Sequence, residues 1–228
     1  MVSQNQTTQI RIKFKKYGSL IYISHLDLAR TMQRIMVRSG IDIWYSEGFN
    51  PQPKIVFAMP LPVGVESECE YMDIKINSTM ECEEIKHRLA NNLPKEMEII
   101  DVYFPESKLK NVVYIDHEIK IHSAAITKDT PKQIESLFEN DVFVMKFSKG
   151  NEKQINVKEY IYSLNATLVG DDLLINTILC AGSDKNLNPE LLIDAIRKNT
   201  KILNGSPIEE YYSIRRKDML TCDLKSFS

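Results

Sequence analysis

The sequence predicts an α+β fold in which two domains, each with an antiparallel sheet, follow one another along the chain. Segments in which apolar and polar residues alternate, as in half-buried strands, are interspersed with amphipathic helical segments. In residues 9–104 these segments follow the order β-α-β-β-α-β, which is the order of a ferredoxin-like domain. The second half has a similar layout. We therefore predict tandem ferredoxin-like domains, with a first domain over residues 1–108 and a second over residues 109–228.

The first predicted strand covers residues 9–15, where apolar and basic side chains alternate strictly. One face of this strand is apolar and carries Ile10, Ile12 and Phe14. The other face is basic and carries Arg11, Lys13 and Lys15.

The first predicted helix begins at Ser24, a good N-cap residue followed three positions later by Asp27, as in a capping box. It ends near Gly40, a residue typical of helix C-termini. Its apolar stripe consists of Leu28, Met32, Ile35 and Met36. On roughly the opposite side lie three arginines at four-residue spacing, Arg30, Arg34 and Arg38.

The rest of the chain yields further elements with clear boundaries. In the first domain, residues 41–45 are predicted to form a short strand, and the proline-containing residues 46–67 a structured loop with an edge-like strand. The other expected elements there are a strand at 70–76, a helix at 81–91 and a strand at 97–103. In the second domain we expect strands at 112–122, 142–147 and 208–214, a hairpin over 166–179, and helices at 130–139 and 188–198.

Composition excludes several classes of function. The chain is 43% hydrophobic and 26% charged, with a net charge of -2, so any case for nucleic-acid binding must be local. Neither a signal peptide nor an apolar run of about 18 residues is present, so we expect a cytoplasmic protein without a membrane association. The cysteines have no zinc-ligand spacing, and no phosphate loop or nucleophile elbow occurs. We expect no metal and no cofactor.

The basic residues are concentrated near the start of the chain. Residues 1–54 contain eight Lys or Arg and three Asp or Glu, an excess of five positive charges. If the basic strand face and the arginine helix face joined at an edge, they would form one surface attractive to phosphates. The predicted nucleic-acid contacts are Arg11, Lys13, Lys15, Arg30, Arg34 and Arg38. The alternative is that both faces are simply solvated.

His25 and the loop after residue 45 are the other candidate sites. His25 follows the N-cap, where the helix dipole favours a neutral imidazole that could act as a base in metal-free RNA cleavage, together with Tyr17 or Tyr22. The alternative is a structural, hydrogen-bonded histidine. The stiff loop either shapes a binding site or covers a sheet edge. Its candidate partner-binding residues are Ser46, Gly48, Phe49, Asn50, Pro51 and Pro53.

Four strings in the first half resemble the radical-SAM-linked protein family, a bacterial family of unknown function encoded beside, or fused to, a radical-SAM protein. They are residues 11–14 (RIKF), 22–27 (YISHLD), 45–53 (YSEGFNPQP) and 61–67 (LPVGVES). The resemblance implies a radical-SAM protein as partner, and the partner would hold the iron–sulfur centre because no Cys-x-x-x-Cys-x-x-Cys pattern occurs here. Genes of this family lie near ribosomal-protein and ribonuclease genes, which points toward RNA.

Three hypotheses follow. The first is an RNA-binding accessory protein, not itself an enzyme, that presents a ribosomal or transfer RNA to a radical-SAM enzyme. The second is a metal-independent endoribonuclease that uses His25, because the opening strand and the Ser24–His25 helix are also similar in layout to CRISPR repeat-processing endoribonucleases. The third is a protein–protein scaffold without an RNA role.

Overall fold

A computed structural model describes residues 7–77, 79–148 and 150–228. The fold is mixed α and β, with antiparallel strand pairs and four α-helices in the described residues. It divides into two compact units, the first extending to Asn111 and including Ser228, the second comprising Val112–Phe227. The sequence placed the boundary three residues earlier, between residues 108 and 109.

Unit 1 has the predicted β-α-β-β-α-β order. Its elements are β1 (Thr8–Lys16), α1 (His25–Arg38), β2 (Ile55–Phe57), β3 (Val65–Ile76), α2 (Cys82–Ala90) and β4 (Met97–Tyr103). The strands lie in the spatial order β4-β1-β3, with β2 paired to β3, and every pair is antiparallel.

The core of unit 1 explains which face of the sheet the helices cover. The apolar side chains of β1, Ile10, Ile12 and Phe14, are fully buried. They belong to the same hydrophobic cluster as the apolar stripe of α1 and as Ile85 and Leu89 of α2. Because side chains alternate across a strand, the basic residues of β1 face away from α1.

Helix α1 begins as its sequence predicts. The Ser24 hydroxyl accepts a hydrogen bond from the backbone N–H of Asp27 at 3.1 Å and donates one to the Asp27 carboxylate at 2.7 Å. These bonds satisfy a backbone donor that the first helical turn leaves without an intrahelical partner. Ser24 is thus confirmed as the N-cap, while the Asp27 carboxylate bonds the Ser24 hydroxyl.

The predicted strand at residues 41–45 is wrong. This segment makes two isolated bridges, Ile43 with Ile76 and Tyr45 with Pro53. The physical reason lies in the register of β3. Strand β2 pairs with β3 from Ile74 to Met72, so residues 41–45 meet only the last residues of β3.

Unit 2 contains β5 (Tyr114–His122), α3 (Thr130–Glu139), β6 (Phe143–Ser148), β7 (Asn151–Asn156), β8 (Ile161–Val169), β9 (Asp172–Cys180), α4 (Glu190–Asn199) and β10 (Tyr211–Leu220). Its main sheet has the order β10-β5-β9-β8, with antiparallel pairs. Strands β6 and β7 form a separate pair, and the sequence did not predict β7. The predicted hairpin is β8–β9, which turns at Gly170 with a φ of 63°.

Candidate functional site

Arg11 does not lie on the surface. Its side chain is 0% exposed, and its Nε and Nη2 atoms donate to the Asp73 carboxylate at 2.7 and 3.0 Å. Two further hydrogen bonds run from its Nη atoms to the hydroxyl and carbonyl oxygens of Ser107, at 3.0 and 2.8 Å. The segment after β4 therefore covers this guanidinium. The prediction that Arg11 contacts nucleic acid is corrected because its donors are used inside unit 1.

The electrostatics of Arg11 agree with this role. Burial alone would lower the pKa of the guanidinium, but the hydrogen bonds and charge of Asp73 more than offset it, so the pKa is raised. A buried, bidentate arginine–carboxylate pair is a structural element of unit 1.

Lys13 and Lys15 lie on the same face of β1 as Arg11 and are partly exposed. The Nζ of Lys13 is 5.2 Å from the centre of the Tyr71 ring, a cation–π contact. The Nζ of Lys15 is 3.6 Å from the Glu98 carboxylate. Each lysine therefore already has a partner, and the basic strand face does not present three free positive charges.

The three arginines of α1 are on the other side of the sheet, so the predicted joint surface with β1 does not form. Arg30, Arg34 and Arg38, which we call the arginine row, are partly or fully exposed to solvent. Together with Thr31, Gln33 and Val37, they line an open groove of about 690 Å³ along the helix.

The members of the arginine row differ in their local partners. Arg30 is 3.4 Å from the Asp27 carboxylate, an exposed pair of small energetic value. Arg38 donates to the backbone carbonyl of Asn92 at 3.3 Å, a neutral group that does not offset its positive charge. Arg34 makes no ion pair within the described part of the chain. At least two of the three charges are therefore available to an anion.

His25 lies at the first position of α1 and is half-buried. Its ring packs edge-on against Phe57, with a centroid distance of 5.0 Å and an interplanar angle of 77°. Its Nδ1 atom is enclosed and has no hydrogen-bond partner among residues 7–77, 79–148 and 150–228. The Tyr17 hydroxyl donates to the carbonyl of Lys95, and Tyr22 is 71% exposed. The structure thus packs His25 on an aromatic ring, while the Tyr17 hydroxyl is bonded elsewhere and most of Tyr22 faces solvent.

The loop at residues 46–53 has a closed base and an exposed tip. The bridge between Tyr45 and Pro53 closes it, and Ser46 and Gln52 exchange two hydrogen bonds of 2.8 and 3.0 Å. Phe49 at the tip is fully exposed, and Gly48 has a φ of 124°, which disfavours other residues there. Asn50, Pro51 and Pro53 complete the predicted loop set, of which Asn50 and Pro51 are exposed.

The register separates the loop from His25. The loop leaves the sheet near the bridge between Ile43 and Ile76, whereas His25 packs on Phe57, which pairs with Met72. The strings 22–27 and 45–53 of the family resemblance are therefore supported at different positions along β3.

Unit 2 contains a cluster that the sequence did not single out. The Nδ1 atom of His122 is 2.6 Å from one oxygen of the Asp172 carboxylate, and the Nζ of Lys120 is 2.7 Å from the other. The His122 ring stacks on Tyr211, with centroids 5.0 Å apart and planes 20° apart. Hydrogen bonds from Lys120 first, and His122 second, lower the pKa of Asp172, so this carboxylate is held ionised.

Other kinds of site find no support in the described residues. Across these residues, no three His, Cys, Asp or Glu side chains come together as a metal ion would require. The four cysteines are all free thiols. No helix in the described segments has the length and apolar character needed to cross a membrane.

Comparison with known proteins identifies a family and a distant structural likeness. The family model described as "Uncharacterized protein conserved in bacteria (DUF2344)" matches residues 9–189. No curated protein matches the chain. Among solved structures, the chain is similar to one in the crystal structure of a Cbf5-Nop10-Gar1 complex, with 10% identity, a TM-score of 0.48 and coverage of 92% of this chain and 48% of the other.

Two more solved structures resemble it to a similar degree. A chain of an H/ACA RNP bound to a substrate RNA has 10% identity and a TM-score of 0.46 over 92% of this chain and 47% of the other. A chain of the archaeal box H/ACA sRNP Nop10-Cbf5 complex has 9% identity and a TM-score of 0.42 over 91% and 46%. The present chain thus spans about half the length of these proteins.

Proposed function

The chain belongs to the DUF2344 family of uncharacterised bacterial proteins, and from this starting point we propose that it is an RNA-binding accessory protein that works with a radical-SAM enzyme in the cytoplasm. It would not be the enzyme itself, but would hold an RNA that the enzyme modifies or processes. The observation that carries the RNA part is the arginine row, in which Arg34 and Arg38 lie beside no carboxylate in the described residues.

Both units would be ferredoxin-like in this proposal. The spatial order in unit 1 is last, first and third strand, with the second paired to the third. In unit 2 the order β10-β5-β9-β8 is the same once the separate β6–β7 pair is set aside. In RNA-binding domains of this kind, bases stack on the sheet face opposite the helices. In unit 1 the segment after β4 covers part of that face, so the proposed phosphate contacts of unit 1 lie on α1 instead.

The charge and spacing of the arginine row suit a phosphate backbone. Arginines four residues apart on a helix are about 6 Å apart along its axis, so they lie on one side of α1 and reach neighbouring phosphates. Guanidinium groups bind phosphate oxygens with two parallel hydrogen bonds. Neutralising phosphates releases counterions, so affinity must fall as salt rises.

The radical-SAM partner is inferred from the family resemblance of residues 11–67 and from the loop at 46–53. The fully exposed Phe49 on the closed loop would anchor this partner, because aromatic side chains dominate the energetics of interfaces. The sequence has no Cys-x-x-x-Cys-x-x-Cys pattern, so the iron–sulfur cluster would belong to the partner.

The RNA part is tested by the salt dependence of binding. We would titrate a fluorescent 20-nucleotide unstructured RNA with the wild type and with an Arg30→Ala, Arg34→Ala, Arg38→Ala variant at several salt concentrations. The slope of log affinity against log salt should be about 2 less steep for the variant than for the wild type. The reason is that each phosphate contact on single-stranded RNA contributes about 0.7 to this slope, and the variant loses three contacts.

The matched control is Arg88→Ala, since Arg88 lies on α2 and is paired with Glu84 at 2.6 Å. This variant should retain the wild-type slope. A wild type whose affinity ignores salt, or a triple variant with an unchanged slope, would contradict the proposal and favour a scaffold without an RNA role.

The partner interaction is tested by co-purification. The radical-SAM protein that the family resemblance implies as partner, once tagged, should retain the wild type and lose a Phe49→Ala, Asn50→Ala variant. Phe147→Ala is the control, because Phe147 is a 71% exposed phenylalanine of β6 in unit 2. Retention of both variants would rule out docking through the loop.

The endoribonuclease alternative is not favoured by the surroundings of His25. Its Nδ1 is enclosed, and its ring packs on the apolar ring of Phe57. A labelled structured RNA incubated with the wild type in EDTA should remain intact. Cleavage that disappears in His25→Ala would reverse this conclusion.

A further inference from the structure

A stacked pair of rings lies at one end of the unit 2 sheet. In the register of β5 and β10, His122 is directly opposite Tyr211, so both side chains are on the same face. On β5, Ile119 and Ile121 point to the opposite face and are fully buried, whereas His122 is only partly buried. Tyr211 is 57% exposed. The pair therefore lies on the side of the strands that faces away from the core.

Hydrogen bonds within unit 2 fix the position of the His122 ring. Asp172, at the start of β9, bonds its Nδ1 atom through one carboxylate oxygen, and Lys120 holds the other oxygen. The side chain of Asp172 is only 17% exposed. A ring held in this way keeps its orientation without a ligand, which is what a stacking platform needs.

The segment that leads into Tyr211 is also held in place. The Glu210 carboxylate accepts hydrogen bonds from the Ser123 hydroxyl and from the backbone N–H of Gly205. These two bonds, with that of Ser123 the larger influence, lower the pKa of Glu210 and keep it ionised. They fix a segment whose residue Ile208 is 90% exposed.

These elements enclose a cleft of about 910 Å³ within unit 2. Its lining combines the two rings with apolar and charged side chains. The apolar members include Ile126, Leu168 and Ile208, and the charged members are Lys128, Asp171 and Glu209.

We propose that this cleft binds an unpaired RNA base, stacked on the Tyr211–His122 pair. A base offers a flat apolar face to the rings, and base–aromatic stacking is the main device by which proteins hold single-stranded RNA. The carboxylates of Asp171 and Glu209 in the lining accept hydrogen bonds, so a base with several N–H donors is preferred, guanine before uracil. Lys128 provides a positive charge for the attached phosphate.

This inference deepens the proposed function. It rests on that function in one respect, namely that the base bound in the cleft belongs to an RNA. In this arrangement unit 2 recognises a base, while the arginine row of unit 1 binds phosphates without regard to sequence.

To test this, guanosine 5′-monophosphate and uridine 5′-monophosphate would each be titrated into the protein, and the NMR signals of the His122 imidazole would be monitored. Guanosine monophosphate should shift these signals upfield as it stacks, and should bind more tightly than uridine monophosphate. Tyr211→Ala should weaken its binding about 5- to 150-fold, the range for loss of one stacking contact. Tyr211→Phe should keep it.

Tyr162→Ala is the matched control, since Tyr162 is 56% exposed in the same unit and packs on Tyr114 at 5.3 Å. It should bind like the wild type. Far-UV circular dichroism and urea unfolding would verify that each variant is folded. Equal binding by Tyr211→Ala and the wild type, or the absence of any shift at His122, would overturn the inference.

The two proposals fail in different ways. If the nucleotide binds but the salt slope for RNA is absent, the RNA function fails and the cleft stands as a nucleotide site. If the arginine-row variant loses RNA affinity while Tyr211→Ala changes neither nucleotide nor RNA binding, the cleft fails and the RNA function stands. A shift at His122 caused equally by an aromatic peptide and by the nucleotide would overturn the assignment to a base.

Discussion

The pair formed by Arg11 and Asp73 yields a prediction that separates a structural arginine from a ligand-binding one. We predict that Arg11→Met destabilises unit 1. The substitution removes four hydrogen bonds to Asp73 and Ser107 from a side chain that is 0% exposed. It leaves the Asp73 carboxylate, whose side chain is 9% exposed, with a hydrogen bond from Gln9 at 3.0 Å but without its cation.

The magnitude follows from the burial of the pair. Breaking a buried ion pair by removing one partner costs about 3–5 kcal/mol, because an uncompensated charge stays inside. With a urea m-value of about 2 kcal/mol/M, the unfolding midpoint of unit 1 should fall by about 1.5–2.5 M. An Arg11→Met, Asp73→Leu variant should be more stable than Arg11→Met alone, since apolar replacements of both partners are often tolerated.

The assay is urea unfolding followed by far-UV circular dichroism, with Lys15→Met as the control. Lys15 is on the same strand face and forms an exposed pair with Glu98, so its loss should cost at most about 1 kcal/mol. Arg11→Lys provides a milder variant if Arg11→Met does not fold, because lysine keeps the charge and loses the bidentate geometry. If Arg11→Met were as stable as Lys15→Met but bound RNA more weakly, the reasoning would be refuted.

Three further predictions concern local features. Ser24→Ala should destabilise unit 1 by about 1 kcal/mol in urea unfolding, through loss of the α1 cap, whereas Ser24→Asp should retain most of the stability. Gly18→Ala should cost about 1–2 kcal/mol by the same measurement, since Gly18 has a φ of 61° and an added Cβ would lie 2.8 Å from the Glu96 Cγ. Burial first, and a neighbouring arginine second, lower the pKa of His117 from 6.5 to about 3. Below pH 6.5 the unfolded chain therefore binds a proton at His117, whereas the folded chain binds it only near pH 3. Stability present above pH 6.5 should therefore decline toward pH 3 by up to about 1.4 kcal/mol per pH unit, and in His117→Leu urea midpoints should vary less with pH.

Local patterns were sufficient to predict many of the elements. The spacing of the apolar residues predicted α1, and the Ser24 cap predicted where it begins. The step Thr130-Pro131 likewise predicted the start of α3, which is observed at Thr130. These signals are strong because they depend on neighbours in the sequence. The segment at 41–45 has strand-like residues too, but pairing requires a free stretch of a partner strand. Strand β2 occupies β3 from Met72 to Ile74, which leaves residues 41–45 only the end of β3 at Ile76.

The candidate site was harder to predict for the same reason. Alternation along β1 correctly separated apolar from basic side chains, but it could not show that a segment about 96 positions away covers Arg11. It also could not show that α1 lies on the opposite side of the sheet from the basic face. Those facts depend on contacts between distant parts of the chain.

The cluster in unit 2 was missed although one signal was present. Lys120 and His122 alternate with buried isoleucines on β5, which indicates an outward face. Their partner Asp172 lies 50 positions along the chain from His122, and only the antiparallel pairing of β5 with β9 brings these groups together. Pairing of this kind is a property of the sheet and is invisible in any one strand.

The closed base of the loop at 46–53 affects how Phe49 would meet a partner. Fixing the backbone of one free residue costs about 1–2 kcal/mol of conformational entropy. Because Ser46 and Gln52 already hold the loop together, most of that cost is met during folding, before any encounter. Association should then proceed without a slow ordering step, and loosening the loop with glycines should weaken binding even if the phenylalanine is retained.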